Sequence, residues 1–271
     1  MNSRVLALLS LFLIVGCSPA EDTPAPDDAA APAQTAPQAL GPPVVSPIHL
    51  AAAHGELEAV SAELDAGVTP DLEAVGSRTA LMFAAEGDHA AVVERLLAAG
   101  ADVNRMDVNG KTAVLLAARN GAAAAFERLA TAGAALDVSD SDGNTVLIEA
   151  IRGRRAAIVR DALERGVAVD ADTRERWQAI HFAASAPDAV FLLLLIEHGA
   201  DVDAVDGLGR TPLMHAAKDG RLASLETLVA AGADLARVDA EGRSAADHAR
   251  EKKQWDALEW LETQGAPSAE A

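Results

Sequence analysis

Tyrosine is absent from this 271-residue chain, and aromatic residues altogether make up only 3% of it. A core with so few rings has to be assembled from small residues on closely approaching helices, which suits alanine and leucine. There is a single cysteine, Cys17, and that excludes a disulfide framework. Basic residues are scarce, 22 against 41 acidic, for a formal charge of −19. Such a balance argues against DNA, RNA or anionic lipid as a general partner, and it also serves simply to keep a long exposed surface soluble. No G-x-S-x-G and no H-E-x-x-H occurs, so nothing assembles a nucleophile, a base and an oxyanion site.

What is present is a period. The position of Thr211 is filled in turn by Ser46, Thr79, Thr112, Thr145, Gln178, Thr211 and Ser244, always 33 residues apart. A glycine column keeps the same spacing through Gly67, Gly100, Gly133, Gly166, Gly199, Gly232 and Gly265. Each unit reads as a helix end at the glycine, a turn such as Asp206 to Gly209, and a helix start at Thr211-Pro212. Paired alanines (Ala51-Ala52, Ala84-Ala85, Ala117-Ala118, Ala183-Ala184, Ala216-Ala217) mark the first helix. Larger apolar residues such as Val93, Leu96, Leu97, Leu225, Leu228 and Val229 mark the second. One unit cannot bury these faces alone, so the units must stack.

A 33-residue turn-helix-helix with a TPLH-like start, as in Thr211-Pro212-Leu213-Met214-His215, resembles the ankyrin repeat. The resemblance runs from residue 46 to 265 and implies an all-α solenoid of about seven units, with a tail at 266–271. The last unit is polar (Glu251, Lys252, Lys253, Asp256, Glu259) and reads as a C-terminal cap, its core closed by Trp255 and Leu258.

Ahead of the array stands a processing segment, residues 1–16. Arg4 supplies the positive start and Val5 to Val15 an apolar stretch too short to span a bilayer as a helix. Its end, Leu13-Ile14-Val15-Gly16-Cys17, resembles the bacterial lipobox, which implies that Cys17 becomes an acylated N-terminus. Ser18 rather than aspartate follows, so by that resemblance the outer membrane facing the periplasm is favoured. A plain secretory leader with an incidental cysteine is the alternative. Residues 17–45 are rich in Ala and Pro, lack apolar periodicity, and read as a disordered spacer. Such a linker averages about 30 Å as a coil and reaches about 90 Å when polyproline-like.

The candidate chemistries are weak. Gly110-Lys111-Thr112 ends like a phosphate loop, but Arg105 stands where the first glycine is required. Asp140, Asp142, Gly143 and Glu149 fit a calcium-loop template whose first ligand position is Val138. Glu149 is odd, because its column otherwise holds Leu50, Phe83, Leu116, Phe182, His215 and His248. His49 and His181 take the position at which the family's histidine is a structural hydrogen-bonding group. His215 and His248, one repeat apart, offer a second metal reading, and no cofactor is expected.

A binding surface remains. In ankyrin-like arrays the turn tips and the exposed side of the first helices line a groove. The tip column reads Val45, Arg78, Lys111, Asn144, Trp177, Arg210 and Arg243, and the helix column Ala53, Glu86, Arg119, Arg152, Ser185, Lys218 and Glu251. The expectation is a basic stripe on an acidic body that takes a protein with an acidic patch, with Trp177 as anchor flanked by Arg174 and Arg176. A local preference for basic residues before the threonine, and a Trp177 folded back over a degenerate repeat, are the plainer readings. The expected molecule is thus a membrane-tethered, non-enzymatic scaffold or receptor and a monomeric array that touches the membrane only through its anchor. The alternatives are an inhibitor or immunity protein for an envelope enzyme or toxin, and a metal-binding protein or metal-dependent enzyme.

Overall fold

The computed structural model describes residues 45–267. The expected leader, Cys17, the spacer up to residue 44 and the end of the tail lie outside the described residues. Among the described residues the only β-pairing is an isolated bridge between Ser139 and Thr145.

Helices come in consecutive pairs: α1 (Pro47–His54) with α2 (Leu57–Asp65), α3 (Ala80–Glu86) with α4 (Ala90–Ala98), and α5 (Ala113–Asn120) with α6 (Ala123–Thr131). They continue with α7 (Val146–Arg152) and α8 (Ala156–Glu164), then α9 (Ala179–Ala184) and α10 (Val190–Glu197). The last are α11 (Pro212–Lys218) with α12 (Leu222–Ala230), and α13 (Ala245–Glu251) with α14 (Trp255–Thr263). Each first helix packs on the next first helix and each second on the next second. These are the stacked units the period implies, seven of them between residues 45 and 267.

Local chemistry explains the boundaries. Every first helix begins one residue after the threonine column. Thr211 is extended (φ −87°, ψ 164°), its Oγ1 accepts the Met214 N–H at 3.4 Å, and Pro212 opens the first turn where no N–H is needed. Behind each second helix the glycine column is left-handed, with φ of 88° at Gly199, a conformation that costs a residue bearing Cβ.

The turns form a second, hydrogen-bonded layer. Asp206 Oδ1 accepts the N–H groups of Leu208 (2.8 Å) and Arg210 (2.9 Å), and Asp107, Asp140 and Asp239 repeat the arrangement. Successive tips are linked: Ser141 N–H donates to the Asn109 carbonyl (2.8 Å), Arg174 to Asp142 (3.2 Å), Gly207 to Glu175 (2.9 Å) and Ala240 to Leu208 (3.0 Å). His49 and His181 clasp the layers together. In each, Nδ1 accepts the N–H of the helix-capping residue (Ser46, 3.1 Å; Gln178, 3.0 Å). Nε2–H is then left to donate to the carbonyls of Leu72 (2.8 Å) and Ala204 (3.1 Å).

One continuous apolar core runs from Ile48 to Ala266, with the paired alanines buried and Val93, Leu96, Phe126, Leu192, Leu225 and Leu228 filling the second-helix side. Leu258 and Trp260 close it at the last repeat, but Trp255 does not. It is 59% exposed because it is the first residue of α14, the position at which Leu222 also faces solvent on α12. Among the described residues no helix is long and apolar enough to cross a membrane.

Candidate protein-binding groove

Tips and first helices line a series of hollows along one side of the array. The basic residues expected there are in place, but most are already matched by the chain's own carboxylates. Arg78 pairs with Glu86 and lies 4.2 Å from the Phe83 ring. Lys111 Nζ reaches Glu149 Oε1 at 2.7 Å and Asp140 Oδ2 at 3.0 Å, and Arg119 holds the other oxygen of Glu149 at 3.1 Å. Arg210 sits on Asp206 (3.3 Å), and Arg243 spans Asp239 (2.9 Å), Glu241 (3.1 Å) and Glu251 (3.1 Å). The stripe is therefore a chain of internal ion pairs over most of its length.

Glu149 is explained by this geometry. It is 1% exposed, and its two cations come from the tip and first helix of the preceding repeat, so it joins the third repeat to the fourth. The neighbouring carboxylate, Asp140, is spent on backbone amides, the Asn144 side chain and Lys111. Burial alone would raise Asp140, but those hydrogen bonds hold its carboxyl below the usual range. Burial likewise works against the Lys111 charge, and Glu149 and Asp140 more than offset it.

Unmatched charge is concentrated in the middle of the groove. A 510 Å³ hollow lies between the tips of the fourth and fifth repeats, lined by Asn144, Arg152, Thr173, Arg174, Trp177 and Phe182 and also by Asp142 and Glu175. Arg152 donates to Asn144 Oδ1 (3.0 Å) and lies 5.8 Å from the Phe182 ring, and among the described residues no carboxylate pairs with it. Arg174 makes no ion pair among the described residues, whereas Arg176 meets Asp172 at 3.9 Å. Lys218, on α11, is half-buried and also without an ion pair among the described residues.

Trp177 is attached to the tip through its N–H, which donates to Thr173 Oγ1 (3.0 Å), but its ring turns back onto the first helices. The ring centroid is 5.0 Å from that of Phe182 and 4.3 Å from that of His215. Trp177 thus walls the hollow and roofs His215 at once, and Trp177, Arg210 and Arg243 all hold the fold as well as facing the groove. Phe182 is the groove residue that sequence reading missed. Its only trace was an aromatic in the column shared with Phe83, His215 and His248.

The two histidines of the metal reading do not form a pair. His215 Nε2 donates to Asp206 Oδ2 (3.0 Å) and His248 Nε2 to Asp239 Oδ2 (2.8 Å), each nine residues upstream in its own repeat. Among the described residues no three of the metal-binding type come together. Burial drives His215 down to about 4, against the upward pull of Asp206, with His181 and Arg210 adding to the fall. Burial also lowers His181 and His248. A histidine kept neutral when folded but basic when unfolded stabilises the fold above the unfolded pKa, about 6.5, and that stability is lost as pH falls toward the folded value.

Between pH 7 and 5 His215 alone is therefore expected to cost about 2 kcal/mol of unfolding free energy, read as a shift of the urea midpoint. His215→Phe, which places there the residue that Phe83 and Phe182 supply in the same column, removes that part of the slope. A slope unchanged by this variant would show that His215 is not the group responsible. Asp239 acts at lower pH. Burial opposes its charge, but the Arg243 backbone and guanidinium and His248 hold it at about 2, so its contribution persists until the carboxylate itself is protonated.

The fold and groove define a helical repeat solenoid that presents its tips and first helices to a ligand. A family model for ankyrin repeats taken three at a time matches residues 48–138, 81–174, 114–206, 155–239 and 180–267, and the chain belongs to the ankyrin-repeat family. Among solved structures, the human ASB11 ankyrin repeat domain is similar at 30% identity and a TM-score of 0.74, covering 83% of this chain and 100% of that one. The ankyrin repeat domain of Bcl-3, a member of the IκB protein family, is similar at 28% identity and a TM-score of 0.68, covering 79% of this chain and 98% of that one. None of the curated proteins compared with the chain matches it. Ankyrin-repeat domains are protein–protein interaction modules.

Proposed function

We propose that this chain is a non-enzymatic receptor or scaffold of a bacterial envelope, moored by acylation of Cys17 to the outer membrane and facing the periplasm, whose groove captures another protein. The observation that carries the capture site is the central hollow. It combines two aromatic rings, Trp177 and Phe182, with two arginines, Arg152 and Arg174, that make no ion pair among the described residues. Charges already paired inside the chain offer a partner little, because the existing pair must be broken first; unpaired ones beside rings make anchors. The hollow fits a segment that offers an acidic side chain to the arginines and an apolar one to the rings. Mooring rests on the lipobox-like Leu13 to Cys17 and on Cys17 being the sole cysteine.

The test is crosslinking in intact cells, followed by identification of what is captured. Arg152→Ala with Arg174→Ala is expected to reduce capture at least tenfold. Melting should stay within the small range typical of exposed substitutions, about 0.5 kcal/mol each. Equal capture of the same proteins by this double variant would remove the hollow from consideration.

A further inference from the structure

The outer face of the second helices carries a column that breaks its own rule. At 33-residue spacing it reads Ser61, Glu94, Glu127, Arg160, Leu193, Glu226 and Glu259, polar everywhere except Leu193. Leu193 is 51% exposed in the middle of α10, and Val190, one turn earlier in a column mainly of alanines, is 44% exposed. Beside them a hollow of 430 Å³ opens between α10 and α12, lined by Leu193, Ile196, Thr227 and Ala230. This face is opposite in role to the groove, and among the described residues nothing covers it.

We propose that this face is a two-fold contact with a second copy of the chain, centred on Leu193. The charges on either side select that occupant. Helix α10 packs between α8 and α12, so Arg160, Leu193 and Glu226 lie in line, Leu193 one helix spacing, about 8–10 Å, from each of the other two. A two-fold axis through Leu193 reverses the line: Arg160 of each copy meets Glu226 of the other, and the leucines meet at the axis. Both charged residues are exposed, and neither makes an ion pair or side-chain hydrogen bond among the described residues. One step further out, Glu127 would face Glu259, which are of like sign, so the contact is confined to α8, α10 and α12. A register shifted by one helix would set Leu193 against a charge, Arg160 in one direction and Glu226 in the other. A contact this small makes a weak, concentration-dependent dimer, in place of the monomer expected from the sequence.

Leu193→Glu installs the residue found at this position on α4, α6, α12 and α14, so it leaves the fold intact. In sedimentation of the whole chain, the parent is expected to move from monomer to dimer with concentration, and Leu193→Glu to remain monomeric. Arg160→Glu alone should weaken the dimer at least tenfold, and adding Glu226→Arg should restore it. In a Cys17→Ser background, Leu193→Cys should oxidise to a covalent dimer, while Glu94→Cys, at the same position on α4, should not. Monomer at every concentration, or a dimer indifferent to Leu193→Glu, overturns the contact. Capture of a partner in the groove is unaffected by Leu193→Glu, so the two surfaces are tested separately.

Discussion

Replacement of Cys17 by alanine is expected to move the whole of the protein from the membrane pellet to the soluble envelope fraction. Mooring of this kind is close to all-or-none. Each buried methylene contributes about 0.8 kcal/mol, so one acyl chain holds only marginally, whereas several hold stably. Among the described residues nothing substitutes for that anchor, because no helix there can span a bilayer. The net charge of −19 also gives the body no attraction to anionic lipid. Fractionation, with incorporation of a labelled fatty acid in the parent but not in Cys17→Ala, is the measurement. A variant that still pellets completely would end the lipid-anchor reading and leave Cys17 an incidental residue of an ordinary leader.

The architecture was readable because it depends on backbone requirements that few residues satisfy. Left-handed φ behind each second helix selects glycine, and the extended cap before each first helix selects threonine or serine, so the period and the starts at Pro212 or Ala245 follow directly. The site was only half readable. That a column is basic can be seen in the chain, but whether Lys111 and Arg119 are free depends on Glu149, which lies 38 and 30 residues away and meets them only when repeats stack. The His215–Asp206 pair had a signal, the nine-residue spacing shared with Asp239 and His248, but it shows as a pair only once the turn is known to fold over the helix. For Trp177 the tip position was legible and the direction of its ring was not. A side chain's torsion is set by what packs against it, here Phe182 and a histidine from the next repeat.

Lys111→Ala and Glu149→Leu, which remove opposite ends of one buried ion pair, are expected to have opposite effects on stability. Deleting Lys111 leaves Glu149, 1% exposed, with Arg119 as its only cation, and Asp140 also loses an ion-pair partner. Breaking a buried pair in this way costs about 3 kcal/mol. Glu149→Leu instead places an apolar residue where Leu50 and Leu116 stand in their own repeats. It leaves Lys111, 26% exposed, on Asp140 and frees Arg119, 43% exposed, to extend into water, so it is expected to be neutral or to stabilise by about 1–2 kcal/mol. In the Glu149→Leu background Lys111→Ala should cost less, only the loss of the Asp140 pair remaining, and the difference measures the Lys111–Glu149 coupling.

Because a solenoid's stability is a sum over repeats and their interfaces, the damage is also local. Lys111→Ala weakens the junction between the third and fourth repeats, so urea unfolding followed by circular dichroism should broaden or separate into two steps, while Glu149→Leu should keep one. If Lys111→Ala left the midpoint and the single step unchanged and Glu149→Leu lowered stability, the pair would be a surface ornament rather than the tie between the two halves of the array.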